Sequence, residues 1–219
     1  MIRRKLAIGA ILMFAPAFCF GVDPTDQSAT ARIAALPQVT RGQMLATAKR
    51  VAAYKWTCRA TNLKAACLKN YASNWHADQE IIGLPYGWGD MDTPEAFSQK
   101  LARGMAAGAH SRDGISKCTA GVDCSGFVAM CWGLKSHIYS TRDIRQIAGR
   151  PSYNWFTDMQ PGDALVKPGD HIVLFAGYNA DGTPNVYEAN GAASRVIYRK
   201  SSWSRFIGYY PLVYKGIVE

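Results

Sequence analysis

The sequence predicts an α+β fold, with helices packed on a central antiparallel sheet of about five strands. Two observations carry this. Apolar residues recur at helical spacing in several stretches up to Trp132, and short strand-like runs behind Pro-Gly-Asp and Asp-Gly turns fill much of the remaining chain. Helices first and strands later point to α+β rather than to alternating βα units. At 219 residues and 48% hydrophobic, the chain is large and apolar enough for a real core.

Residues 1–21 stand apart. Arg3, Arg4 and Lys5 precede the uncharged apolar run Leu6 to Phe14, and Ala15-Pro16-Ala17 is a small-x-small cleavage pattern, with a cut after Gly21 as a second option. This reads as a secretory signal peptide. An anchor helix needs about 18 apolar residues, more than this run supplies. A lipoprotein signal at Cys19 is disfavoured by the bulky Phe18 before it. No other segment is a candidate span, so the expectation is a secreted or periplasmic protein with no stable membrane insertion after signal cleavage.

The whole chain carries +9, and the leader takes three basic residues, leaving 22 basic against 16 acidic, or +6. The basic residues are scattered, from Lys49-Arg50 through Arg142, Arg145 and Arg150 to Arg205. A solvated basic surface is expected and no nucleic-acid partner. A mild positive field suits a protein that works beside an anionic polymer such as a bacterial cell wall.

Five cysteines lie beyond the leader: Cys58, Cys67, Cys118, Cys124 and Cys131. Export favours pairing, and an odd count leaves at least one thiol free. Pairing Cys58 with Cys67 and Cys118 with Cys131 would leave Cys124 alone, although spacing does not fix connectivity. All five reduced and buried is the alternative.

Residues 22–80 are expected to form a helical N-terminal extension. Residues 22–39 are a lead-in. Thr40 caps a helix whose stripe is Met44, Leu45, Ala48, Val51, Ala52 and Trp56. Thr61-Asn62 opens a second helical stretch through Leu63, Ala66, Cys67 and Tyr71, giving a helical hairpin. Residues 81–219 then form a second unit. Ile81 to Asp90 is a Gly-rich aromatic loop, and Thr93 starts a short helix through Leu101. Residues 103–121 are a surface excursion. Asp123 begins a helix that runs to about Trp132, where Gly133 stops it. Thr141 caps a short helix through Ile147. Strands are expected at 164–166, 172–176, 186–188, 195–198 and 206–210.

Cys124 falls in the first turn of the helix that Asp123 begins. Free N–H groups and the dipole there favour a thiolate, whose ordinary pKa is about 8.5. The Cys124 amide can also face a developing oxyanion. Spacing alone equally fits a core cysteine, because Cys124, Phe127, Val128 and Cys131 lie at i, i+3, i+4 and i+7. A thiol nucleophile needs a histidine base. His76 and His110 lie in polar stretches and His137 just past the helix, whereas His171 stands at the mouth of an apolar strand. Glu188 and Asn190 share one face of the next strand, and either could orient an imidazole. The histidines show no ligand spacing, so no metal or other cofactor is expected.

In combination these residues resemble a known family. Leu84-Pro85-Tyr86-Gly87-Trp88-Gly89, Asp123-Cys124-Ser125-Gly126-Phe127-Val128, Pro161-Gly162-Asp163-Ala164-Leu165, and then His171 opening a strand, resemble the NlpC-type cell-wall cysteine peptidases. The resemblance spans about residues 82–215 and implies a papain-like fold for 81–219. It implies Cys124 as nucleophile and His171 as general base, with Glu188 in the third place, where the family usually has His, Asn or Gln, and Asn190 in reserve. Tyr86 would assist the oxyanion or position substrate, and Asp123 and Ser125 would line the cleft. The expected partner is peptidoglycan stem peptide, cut between γ-D-glutamate and a diamino acid. A cell-wall amidase, an acyl or transglutaminase-type transferase, and an idle wall-binding domain are the alternatives. Oligomeric state is open. Two departures stand out: Asp90 replaces a usual second glycine, and the long stretch before Cys124 should add a helix and a loop near the cleft.

Overall fold

The computed structural model describes residues 35–219 apart from Asn70, Trp155 and Phe156. The leader and Cys19 lie outside the described residues. Thr40 caps the first helix, α1 (Arg41–Ala52), with a reciprocal pair: its hydroxyl accepts the Gln43 N–H at 3.2 Å, and Gln43 Oε1 accepts the Thr40 N–H at 2.9 Å. Met44, Ala48 and Val51 are the buried stripe.

The helical hairpin does not form. After α1 the chain enters a strand, β1 (Lys55–Thr57), which pairs antiparallel with β2 (Glu80–Ile82). Among the described residues between them lie a 3₁₀ turn at Ala60–Leu63 and loops. Trp56 explains the change. It is buried while Lys55 and Thr57 are exposed, a period of two, and its indole N–H donates to the Gly83 carbonyl at 3.0 Å. Asn62 is drawn inward too, donating to the Leu101 and Met105 carbonyls at 3.0 and 2.8 Å.

The disulfide is Cys67–Cys118, not Cys58–Cys67 or Cys118–Cys131. Cys58, Cys124 and Cys131 are free and buried. Cys58 is held away from Cys67 because its backbone pairs with Gln79 and Asp78.

Thr93 caps α2 (Pro94–Ala102), its hydroxyl accepting the Ala96 N–H. Residues 103–121 are less of an excursion than expected. Their ends form a short parallel pair, β3 (Ala106–Ala107) with β4 (Thr119–Ala120), and all four residues are buried. Next comes α3 (Cys124–Cys131), buried at all eight positions. It packs between α1 and the main sheet, whose strands include β7 (His171–Tyr178) and β8 (Pro184–Asn190) against its face.

The main sheet has six antiparallel strands: β5 (Ala148–Gly149), β6 (Ala164–Lys167), β7, β8, β9 (Arg195–Lys200) and β10 (Tyr210–Tyr214). Their order is β5-β10-β6-β7-β8-β9. The last strand starts later than 206–210 predicts. Gly208 sits at φ +83°, which no strand continues through, and Trp203–Phe206 coils into a 3₁₀ turn instead. The helix expected from Thr141 is a single 3₁₀ turn, Ile144–Gln146, because the Thr141 hydroxyl accepts the Gly169 N–H rather than a local one.

The sheet separates two cores. Ile172, Leu174, Ala189 and Val196 face α1 and α3, while Val173, Phe175, Val186 and Phe206 form a second cluster on the other side. Alternation puts His171 on the side of Val173 and Glu188 on that of Val186. Cys124 therefore lies in the α1–α3 layer, and its thiol takes a backbone hydrogen bond from Ile172 at the start of β7, one residue after His171.

Candidate active site

Asp123 and Cys124 are placed by the start of α3. Asp123 has extended backbone and caps the helix, its Oδ1 accepting the Gly126 N–H at 2.7 Å. Oδ2 accepts the Gly89 N–H at 3.0 Å, which ties the tyrosine loop to the helix. The Ser125 hydroxyl donates to Oδ1 at 3.0 Å. Asp123 and Ser125 are 6% and 4% exposed, so both side chains serve the cap.

Cys124 is 4% exposed. Burial pushes its thiol up to about 12, and the Asp123 charge pushes the same way. The N–H groups of Ile172, Ser125 and Cys124 itself pull down, as donors to a thiolate must. The resting thiol is therefore protonated. The Ile172 contact puts the sulfur beside the first residues of β7, where His171 begins the strand.

His171 Nε2 lies 2.8 Å from Glu188 Oε2. Glu188 is fully buried, and burial alone would raise its carboxyl. Hydrogen bonds from His171, Arg205 and Asn190 outweigh that and hold it down to about 2. Arg205 grips it with both ends of its fork, Nη1 to Oε1 at 2.8 Å and Nη2 to Oε2 at 2.9 Å. An ionised carboxylate can only accept, so the proton on the facing imidazole nitrogen sits on Nε2. Nδ1 is the nitrogen that Glu188 leaves unengaged. Between the two candidates for the third place, Glu188 holds the imidazole. Asn190 supports Glu188 and also accepts the Ala193 N–H at 2.7 Å.

Tyr86 is close enough to the thiol for the two to influence each other's ionisation. Burial raises its hydroxyl well above the usual range, and the nearby Cys124 and Asp123 charges add to that. It stays a donor at any working pH. Its loop is fixed by the Tyr86 N–H to Ser194 carbonyl bond at 2.7 Å and by bridges from Tyr86 and Met91 to Val122. Asp90 is structural. Its carbonyl accepts the Asp123 N–H at 2.9 Å, and its buried carboxyl accepts from Thr119 at 3.3 Å, with Lys100 Nζ at 4.0 Å. It thus links the loop, α2 and β4 beneath the cap.

Two residues of the site carried no signal of their own. Arg205 reaches Glu188 from the 3₁₀ turn before β10, seventeen positions away, with no motif around it. His137 bonds Asp123 through Nε2, 2.9 Å from each carboxylate oxygen. Gly133, at φ +84°, turns the chain out of α3, and His137 comes four residues later. That turn was legible; its meeting with the cap was not.

The chain matches no family model, no curated protein and no solved structure. Among the described residues no helix is long and apolar enough to cross a membrane.

Proposed function

We propose that this protein is an exported cysteine peptidase of papain-like type. Its substrates are peptidoglycan stem peptides, cut at the amide bond between γ-D-glutamate and a diamino acid. One observation carries the reading. A cysteine in the first turn of a buried helix meets a strand that opens with a histidine, and a buried, ionised glutamate fixes that histidine's tautomer. The resemblance of the Tyr86, Cys124 and Pro161 segments to the NlpC-type peptidases supplies the substrate class.

The chemistry starts from the resting state. Cys124 is neutral, so His171 Nδ1 takes the thiol proton as sulfur attacks the carbonyl carbon, rather than holding a preformed ion pair. The Cys124 N–H and the Tyr86 hydroxyl supply donors for the oxyanion. His171 passes the proton to the leaving amine as the C–N bond breaks, giving a thioester. Water, deprotonated by His171, then attacks the thioester and releases the acid and the thiol. Arg205 and Asn190 keep Glu188 ionised through the cycle, so it stabilises the imidazolium without taking its proton.

The test is a digest of defined muropeptides, with products identified by mass spectrometry. Cleavage on the carboxyl side of γ-D-glutamate is expected from the wild type. Cys124→Ala and His171→Ala should each lower turnover by at least about a thousandfold and keep the fold. Continued digestion by Cys124→Ala would sink the assignment, and free glycan with intact peptide would indicate an amidase instead. The near-complete burial of Cys124 favours one rival, an idle wall-binding domain, and absence of any cleaved product from the wild type would support it.

A further inference from the structure

We propose that His137 is a positioning residue for Cys124, which it serves by holding and neutralising the Asp123 carboxylate that caps the nucleophile's helix. The inference rests on the reading of Cys124 as nucleophile, but its support is independent of the substrate.

Asp123 is an awkward neighbour for a thiolate. Its carboxylate is needed to cap α3 and to tie down Gly89, yet its negative charge opposes ionisation of the next residue. His137 answers this. Nε2 is equidistant from both carboxylate oxygens at 2.9 Å and lies 3.4 Å from the Ser125 hydroxyl. The pair is well shielded, with side chains 21% and 9% exposed, so water screens it little. The ring is also held by shape. A Cβ on Gly126 would come within 2.7 Å of His137 Cδ2 and 2.6 Å of the Asp90 carbonyl, so glycine is what lets the imidazole lie against the helix start. A ring packed and bonded in this way is built in, not a surface histidine that happens to be near.

The consequence concerns charge. With His137 protonated, the pair is neutral overall and the thiolate meets little repulsion. With His137 neutral, the full Asp123 charge returns. The hydrogen bond to Asp123 raises the His137 pKa against the opposing effect of burial. Asp90 also faces His137, and it is accompanied by Lys100 and Asp92. Facing the sulfur are Asp123, Tyr86, Tyr209 and the β7 end with His171. Of these groups, His137 is the one bonded to Asp123, so its proton most directly cancels the Asp123 charge.

The test reads the thiol itself. Alkylation of Cys124 by iodoacetamide would be tracked by peptide mass mapping from about pH 5.5 to about pH 9, which separates it from Cys58 and Cys131. The proteins are wild type, His137→Gln, Asp123→Asn and the double variant. Gln keeps an N–H donor but never a charge. We expect His137→Gln to slow alkylation roughly three- to tenfold at the acid end, with the ratio closing towards one as wild-type His137 loses its proton. In the Asp123→Asn background the same change should do nothing. A constant ratio across the pH range, or superimposed profiles, would overturn the proposal. Should His137→Gln not fold, the wild-type profile must still show an inflection that Asp123→Asn lacks; its absence overturns the proposal equally. The muropeptide digest fails or succeeds separately. Shifted alkylation with no digestion sinks the peptidase reading alone, and digestion with superimposed profiles sinks this one alone.

Discussion

Glu188 is the residue on which the site's electrostatics turn. It is fully buried, yet it holds a charge because His171 and the Arg205 fork both donate to it. Breaking such a pair from the Arg side leaves a buried carboxylate short of donors, which typically costs about 3–5 kcal/mol. Arg205→Met should therefore destabilise the protein by roughly that amount in urea unfolding, tempered by Asn190 and by Arg199 at 3.7 Å. The same variant should raise the Glu188 pKa from its value of about 2, read by carboxyl NMR titration. A loss below about 0.5 kcal/mol, the size of an ordinary surface change, would mean Arg205 is a bystander.

The elements show how far residue pattern reaches. Capping made α1, α2 and α3 legible: Thr40, Thr93 and Asp123 each accept the expected N–H. The two Pro-Gly-Asp turns announced β6 and β7, and strand alternation put Glu188 and Asn190 on one face. The hairpin after α1 failed because Trp56 continues the helical stripe in sequence yet buries itself through a strand at period two. The cysteine pairing that would leave Cys124 alone is not the one formed, because connectivity depends on the tertiary path and not on spacing. Residues 103–121 fold back and bring Cys118 to Cys67 across 51 positions. A crosslink closing a loop of that length stabilises by about 4 kcal/mol through the unfolded state. Cys67→Ser/Cys118→Ser should lower stability by approximately that amount under oxidising conditions and make it insensitive to dithiothreitol. Equal unfolding midpoints with and without the bond would show that the 103–121 segment is ordered by β3–β4 pairing alone.

Across the whole molecule, pH sets stability through groups that pull in opposite directions. Glu188 is depressed to about 2, so its contribution is full above the ordinary carboxylate range and is lost only as pH falls towards 2. Asp90 is the reverse case. Burial raises it to about 7, with Lys100 opposing and Asp92 adding, so its contribution is full below the ordinary carboxylate range, falls as pH rises from there and is gone once pH has passed 7. His137 is raised as well. Its contribution is full below the ordinary histidine range and disappears as pH climbs past its elevated value. Together they predict a protein that tolerates mild acid and weakens by a few kcal/mol at most between about pH 5 and pH 9. Asp90→Asn should flatten that decline, because an amide oxygen can still accept from Thr119 and has no charge to bury. Its advantage over wild type should grow by about 1–3 kcal/mol between pH 5 and pH 8. Parallel curves for the two proteins, offset by a constant amount, would mean that the Asp90 carboxyl is already ionised and compensated by Lys100.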